Sequence, residues 1–471
     1  MSAIYKDSSE IVPNSRMFEV PAPGLLNDLA KAPIFVYWLR LNWERNFNLH
    51  RASSTDGRSE VTSREDIFLI AMCGLMSLID GFDAQAIAYA APLLSDEFAA
   101  SPSVIGSMFS IGLFGGLVGA VPAIHLDKLV GRRRLMMICL LWFAVGSAVT
   151  AMVTSAPVML IVRFLSGVGL GMAIPLLMGT MTDSVPTRIR ARALAVITCA
   201  IPAGALLGGL IAAAVLPTMG WRILFVIGAV APVVLMLPFN MALRNVEHRF
   251  SALRSGGVDT VGATVRFVGQ MFRFGGIGLV LLLLTNFCSM LLTFSLMSWT
   301  PSLLVQSGAD NSFASLAGGI LNGGAMIATL TLGFVLDRYD AERTALICYG
   351  LAMLSLLVMA AAGGAGAATL GIVVIAGFFG IGSQICLNYM IAHSVRAEQR
   401  VAIIGIAMIA SRMGGTVGPM LFGLLIQIGW TPPAMFAFAA SIALVVIAGI
   451  YVSNRTIRRP DDGPPHGAVP G

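Results

Sequence analysis

The sequence predicts an all-α integral membrane protein whose twelve transmembrane helices form two pseudo-symmetric six-helix bundles. Composition is the first reason. Of 471 residues, 57% are hydrophobic and only 11% charged, less than half the roughly 25% charge of a soluble domain. The second reason is a series of apolar runs of spanning length. Twelve helices of about 20 residues need about 240 residues, which the chain accommodates with loops to spare. The third is an internal repeat at an offset of 209–210 residues.

These observations also exclude classes. A mean hydropathy of +0.84 rules out a disordered or collagen-like chain. The six cysteines stand singly in apolar stretches without a C-x-x-C spacing, which indicates neither a disulfide framework nor a metal site. The net charge of +6 reads as a bias of membrane loops rather than as a nucleic-acid surface. No H-E-x-x-H motif and no phosphate-binding G-x-x-x-x-G-K-[ST] loop occurs, so no enzyme signature is present and no cofactor is expected. Energy for any transport must then come from an ion gradient, or transport is passive.

Residues 1–65 form a polar, mixed-charge extension without a secretory h-region. Within it, Pro33–Leu41 is short and aromatic and suits a membrane surface or a loop contact. Apolar runs follow at 67–93, 104–126, 135–154, 158–181, 193–216 and 222–243, giving a first bundle over 66–243. A hydrophilic central loop occupies 244–273. Six further runs, at 274–299, 313–336, 345–362, 368–391, 401–427 and 433–453, give a second bundle over 274–453, and a tail covers 454–471.

Charge sets the orientation. Loops after the even-numbered spans carry Lys128, Arg132, Arg133, Arg134, Arg188, Arg190, Arg192, the arginines of the central loop, Arg338, Arg343, Arg396 and Arg400. The opposite loops hold Asp96, Glu97 and Asp310, with Arg222 at the rim of span six. The positive-inside rule places the basic set in the cytoplasm, and with it both termini.

The halves echo each other. Ala91-Pro92-Leu93-Leu94 returns as Thr300-Pro301-Ser302-Leu303-Leu304, and Asp127-Lys128 returns as Asp337-Arg338. Gly204, Gly208 and Gly209 in span five answer Gly414, Gly415 and Gly418 in span eleven. Repeated halves with a site at their interface are a common build for secondary transporters.

A charge at bilayer depth is costly and usually functional. Tails and loops aside, the intramembrane charges are Asp80, Asp83, Arg163 and Arg412, with Asp183 at a helix end. Asp80 and Asp83 stand three apart in Leu78-Ile79-Asp80-Gly81-Phe82-Asp83, which puts both carboxylates on one helix face. Two such groups in low dielectric do not easily both ionise, so the pair suits proton uptake and release. Alternatively, one of them caps a broken helix or pairs with a buried arginine. Arg412, in the middle of span eleven, stays charged and can grip a carboxylate with two parallel hydrogen bonds. It invites an anionic substrate, or else forms an ion pair with Asp80 or Asp83.

At the repeat offset, Asp80 and Asp83 fall opposite uncharged residues near Met290 and Thr293, and Arg412 falls opposite Pro202. The fold therefore does not need these charges twice. Arg163 opens a glycine-rich run to Gly171 and is expected to serve conformation, through loop carbonyls or proton movement. Asn286, Gln384 and Asn388 either bond a substrate or glue helices together. Trp299 and Tyr89 read as interfacial anchors rather than ligand stackers.

Several motifs then carry a resemblance. Asp127-Lys128…Gly131-Arg132-Arg133-Arg134, Gly333-Phe334-Val335-Leu336-Asp337-Arg338 and Gly220-Trp221-Arg222…Phe225 resemble those of the major facilitator superfamily over residues 65–453. Asp80-Gly81-Phe82-Asp83, with Ser298-Trp299-Thr300-Pro301 and Gly382-Ser383-Gln384, is similar to its aromatic acid:proton symporters. That resemblance implies import of a small aromatic carboxylate such as 4-hydroxybenzoate, protocatechuate or benzoate together with protons, across a bacterial inner membrane, by a monomer in the lipid bilayer. It implies proton coupling at Asp80 and Asp83, a substrate-binding role for Arg412 as the arginine of helix eleven, and gating at Asp127 and Asp337. Read from the residues themselves, Gln384 and Asn286 join Arg412 as candidate substrate ligands, and Lys128, Arg132, Arg163 and Arg338 join the candidate gating set.

The chain departs from the pattern in places. Ala123 replaces the usual first glycine of the loop motif, Val130 is an extra residue before Gly131, and Asp183 stands where a glutamate is usual. Span five lacks the Gly-Pro pair of drug/proton antiporters, which disfavours the rival reading of an exporter of drugs or metabolites. A second rival, a non-transporting sensor of aromatic acids, rests on the long N-terminal extension.

Overall fold

The computed structural model describes residues 63–251, 276–362, 366–395 and 400–457. The N-terminal extension to residue 62, the segment 252–275 and the tail from 458 lie outside these, so nothing here bears on the expectations placed on them.

Twelve helical spans cross the described chain, and no strand occurs among its residues. The first six are α1 (Arg64–Phe98), α2 (Pro102–Val130), α3 (Arg132–Ala151), α4 (Ala156–Ser184), α5 (Thr187–Met219) and α6 (Arg222–Ser251). The next three are α7 (Gly276–Gln306), α8 (Asn311–Leu336) and α9 (Ala341–Ala362). The tenth span is interrupted: α10 (Ala367–Ala376) passes through a π-helical turn at Gly377–Ile381 into α11 (Gln384–His393). The eleventh is α12 (Arg400–Gln427) and the twelfth α13 (Pro432–Thr456).

The helices outrun their apolar stretches because polar termini are wound in as well. α6 continues past 243 to Ser251, so the hydrophilic stretch expected to start at 244 begins as helix. Arg188, Arg190 and Arg192, expected in a loop, lie in the first turns of α5. Local chemistry sets the ends. Ser63 caps α1 through a reciprocal capping box with Asp66, at 3.1 and 2.9 Å. Gly220 and Gly429 end α5 and α12 with positive φ, and Ala99 and Gly308 do the same after α1 and α7. Both pairs are 209 residues apart, so the repeat read from the sequence recurs in the backbone.

Helices of the two halves meet along two equivalent seams, α2 against α12 and α5 against α8. Small residues make this possible. A Cβ on Gly209 would stand 2.4 Å from the Cα of Gly319, and one on Gly106 would stand 2.6 Å from the Pro419 carbonyl oxygen. At the end away from the basic loops, one apolar core draws on both halves, including Tyr89, Leu94 and Phe225 from the first and Trp299, Phe422 and Met435 from the second. Toward the basic end it gives way to two clusters. One holds first-half residues such as Leu69, Leu140 and Phe239, the other second-half residues such as Leu279, Tyr349 and Ile450. The halves are thus joined at one end and keep separate cores at the other. Val234, Leu237 and Ile277 are among many large apolar side chains left exposed, as expected of a surface facing lipid.

Candidate functional site

The site grows from the crossing of α1 and α5. A Cβ on Gly81 would lie 1.9 Å from the Ile201 carbonyl oxygen, and one on Gly204 would lie 1.9 Å from that of Leu78. Backbone contact on this face turns Asp83 away from α5 and into the first bundle. There Asp83 accepts hydrogen bonds from Arg163 Nη1 at 3.0 Å and Ser147 Oγ at 3.2 Å. Asp83 is 2% exposed and Arg163 5%, and the guanidinium carbon stands 4.6 Å from the centre of the Phe225 ring. Side chains from α1, α3, α4 and α6 therefore converge on one sealed ion pair. The glycines after Arg163 let α4 lie against α2: a Cβ on Gly167 would be 2.1 Å from the Gly112 oxygen, and one on Gly171 2.0 Å from the Gly116 oxygen.

Asp80, one turn earlier, is only half-buried and has no hydrogen bond or ion pair among the described residues. It borders a cavity of ≈ 10 Å³ walled by Ile79, Cys139, Leu140, Phe143, Leu170 and Ala173, about the least space that holds one water. Arg412 reaches toward it from the other bundle, and the two charges interact electrostatically. The Arg412 Nη1 lies 3.8 Å from the Cβ position of Gly116, at the α2–α4 crossing. Its guanidinium makes no hydrogen bond or ion pair among the described residues. The carboxylate left open as a partner for Arg412 is therefore not Asp83, which Arg163 holds.

Asn286 and Gln384 sit behind Arg412 in a closed polar network. Asn286 Nδ2 donates to the Ala407 carbonyl at 3.0 Å and to Ser411 Oγ at 2.8 Å. Gln384 Nε2 donates to Asn286 Oδ1 at 2.6 Å and to Asn388 Oδ1 at 3.2 Å. Ser289 donates to Gln384 Oε1 at 2.5 Å, so Tyr349, also 2.5 Å from Ser289, must be the donor in their bond. Both amides thus have their donors and an acceptor engaged. They fasten α7, α9 and α11 to the α12 turn that carries Ser411 and Arg412, and present no free group to a ligand in this arrangement.

At the basic end, Arg132 donates to Asp127 at 2.9 Å and to Asp183 at 2.5 Å, tying the α2–α3 joint to the end of α4. Lys128 lies in the last turn of α2, where a positive charge suits the helix C-terminus. The repeat does not reproduce this arrangement. Asp337 and Arg338 are exposed and make no side-chain hydrogen bond or ion pair among the described residues. At the opposite end a cluster not anticipated from the sequence joins α1 to α6. Arg222 pairs with Glu97 at 2.6 Å, and Trp221 Nε1 donates to the same carboxylate at 2.6 Å.

Trp299 and Tyr89 require a correction. Both are fully buried rather than interfacial. Trp299, on α7, donates to the Pro419 carbonyl of α12 at 2.8 Å and meets Phe109 of α2 edge-on, while Tyr89 donates to the Ala205 carbonyl at 2.7 Å. Residues 298–301 and Tyr89 lie where the bundles close, and the closure explains their burial. No group of three or more potential metal ligands occurs among the described residues.

A family model described as Major Facilitator Superfamily matches residues 73–415 and 282–470. A 4-hydroxybenzoate transporter of Pseudomonas putida is 26% identical over 83% of this chain and 93% of its own. A 3-(3-hydroxy-phenyl)propionate transporter of Escherichia coli (strain K12) is 28% identical over 83% of this chain and 94% of its own. Among solved structures, a D-xylose-proton symporter superposes with a TM-score of 0.67 at 18% identity, covering 84% of this chain and 98% of that one. A bacterial homolog of the human lysosomal transporter Spinster, in an inward-facing conformation, superposes at 0.68 and 16% identity with the same coverage. At such identities the structural likeness concerns the fold.

Proposed function

The chain belongs to the Major Facilitator Superfamily and is a multi-pass membrane transporter rather than an enzyme, and from that premise we propose that it imports a small aromatic carboxylate together with protons. The observation that carries this reading is Arg412, a guanidinium at mid-span depth, between the bundles, with no bonded counter-charge among the described residues. A cation so placed favours an anion, and the geometry of guanidinium matches a carboxylate. The names of the relatives, among them 4-hydroxybenzoate, gallate and benzoate transporters, support an aromatic acid as that anion.

The two carboxylates of α1 divide the remaining work. Asp83 is neutralised by Arg163 and holds the first bundle in register, a positioning role. Asp80, unbonded and in electrostatic reach of Arg412, is the group that takes up the proton. With substrate on Arg412, an ionised Asp80 leaves a net negative charge at bilayer depth, and a protonated Asp80 leaves none. Only the neutral set crosses between states at low cost, which couples substrate to proton. The positive-inside rule favours the cytoplasmic side for the basic end, and the bacterial relatives favour an inner membrane as the setting. The shared core then closes the external side, and alternating access proceeds by parting the α2–α12 and α5–α8 seams while the basic end closes.

Proteoliposomes preloaded with unlabelled 4-hydroxybenzoate are expected to take up the labelled acid by counterflow, and those preloaded with an unlabelled hydrophobic cation are expected not to take up the labelled cation. Counterflow of the cation without the acid would overturn the reading in favour of an exporter of drugs.

A further inference from the structure

Two buried side-chain oxygens on the α1–α5–α8 seam have no hydrogen-bond donor: Gln85 Oε1 and Asn322 Oδ1. Their residues are 4% and 1% exposed, so bulk water does not serve them, and acceptors this deep are nearly always paired. Asn322 is fixed in its sense. Its Nδ2 donates to the Gly318 carbonyl one turn back, at 3.0 Å, which leaves the oxygen as the free end.

Position links the two. Tyr89 on α1 touches α8 at Gly318, where a Cβ would stand 2.9 Å from Tyr89 Cε1, and Asn322 lies beside the Tyr89 phenol. α1 and α8 run in opposite directions. One turn from the Tyr89–Gly318 contact toward the basic end therefore brings Gln85 level with Asn322. That level lies just inside the closed end of the molecule. The Tyr89 hydroxyl cannot supply the missing donor, because its proton goes to Ala205.

What the pair lacks is an O–H or N–H donor. Gln85 stands five residues beyond Asp80, a rise of about 7.5 Å along α1 with a turn of about 140° about its axis; the rise is comparable to a benzene ring with a substituent at each end. With the carboxylate at Arg412, in electrostatic reach of Asp80, a ring aligned along α1 would bring its far end to this level. We propose that Gln85 and Asn322 form an acceptor subsite for a ring hydroxyl, which makes the preferred substrate a ring-hydroxylated aromatic acid. The inference rests on the aromatic-acid reading above.

The test is the affinity of the full-length chain, by calorimetry, for 4-hydroxybenzoate, benzoate and 4-methoxybenzoate. The wild type is expected to prefer 4-hydroxybenzoate over the other two by about ten-fold or more, because neither competitor donates a hydrogen bond. Gln85→Met and Asn322→Leu, which remove the acceptors at similar volume, are expected to lower that preference about ten-fold. If Asn322→Leu fails to elute as a folded species, Asn322→Val takes its place. Equal affinities in the wild type, or a preference that survives both substitutions, would overturn the subsite. Failure of the folded wild type to bind any of the three acids would overturn the aromatic-acid reading itself, a result distinguishable from loss of the preference alone.

Discussion

Asp83 on α1 and Arg163 on α4 form a 3.0 Å ion pair inside the first bundle. Asp80, three residues before Asp83, makes no such bond among the described residues. The same short motif thus supplies one charge already neutralised by the fold and one left without a bonded partner among the described residues. Arg163 keeps Nε and Nη2 without hydrogen-bond partners, compensated in part by the face of Phe225.

Breaking this pair from one side strands a buried charge. Asp83→Asn or Arg163→Met alone is expected to destabilise the protein by about 3–5 kcal/mol. The double variant, which strands no charge, is expected to recover much of that loss. Thermal unfolding in detergent across the four proteins checks this. Additive losses in the double variant would show that the two residues do not act as a pair.

Arg412 calls for a kinetic comparison. Arg412→Ala is expected to abolish uptake. Arg412→Lys keeps the charge but loses the two-pronged geometry, so KM is expected to rise about ten-fold or more. Initial rates over a range of substrate concentrations separate KM from kcat. A lysine variant with wild-type KM would remove the carboxylate from Arg412.

The closed end depends on contact between Gly209 and Gly319. A leucine at 209 cannot fit beside the Gly319 backbone, 2.4 Å from the required Cβ position. Gly209→Leu is therefore expected to wedge the α5–α8 seam apart and bias the protein toward the state open at that end. A cysteine at Ser315, buried at this seam, should then react several-fold faster with a membrane-impermeant maleimide. An unchanged labelling rate would place the moving contact elsewhere.

Much of this architecture was legible in the sequence because the bilayer makes composition decisive. Apolar runs located every span, and the cost of burying charge singled out Asp80, Asp83, Arg163 and Arg412. Their partners were not legible. Whether Arg163 or Arg412 meets Asp83 depends on the rotation of α1, which the backbone contact of Gly81 with α5 sets. That contact joins residues 120 positions apart. Ser147, Ser289 and Tyr349 went unnoticed because a hydroxyl in a membrane helix is common, and its partner comes only from tertiary crossing. Asn286 and Gln384 were visible as residue types, but nothing local says that they engage one another. The return of Asp127-Lys128 as Asp337-Arg338 predicted matching roles. Their surroundings differ, since the Arg132 that ties Asp127 to Asp183 has no counterpart bonded to Asp337 among the described residues.

The most direct test of the account is uptake of labelled 4-hydroxybenzoate into proteoliposomes with an acid exterior, comparing wild type with Asp80→Asn. Wild-type protein is expected to concentrate the acid inside, faster as the exterior pH falls, because Asp80 must be protonated as substrate crosses. The variant, permanently neutral at that position, is expected to exchange substrate without concentrating it and without dependence on the gradient. Gradient-driven accumulation by Asp80→Asn at the wild-type rate would contradict the central claim.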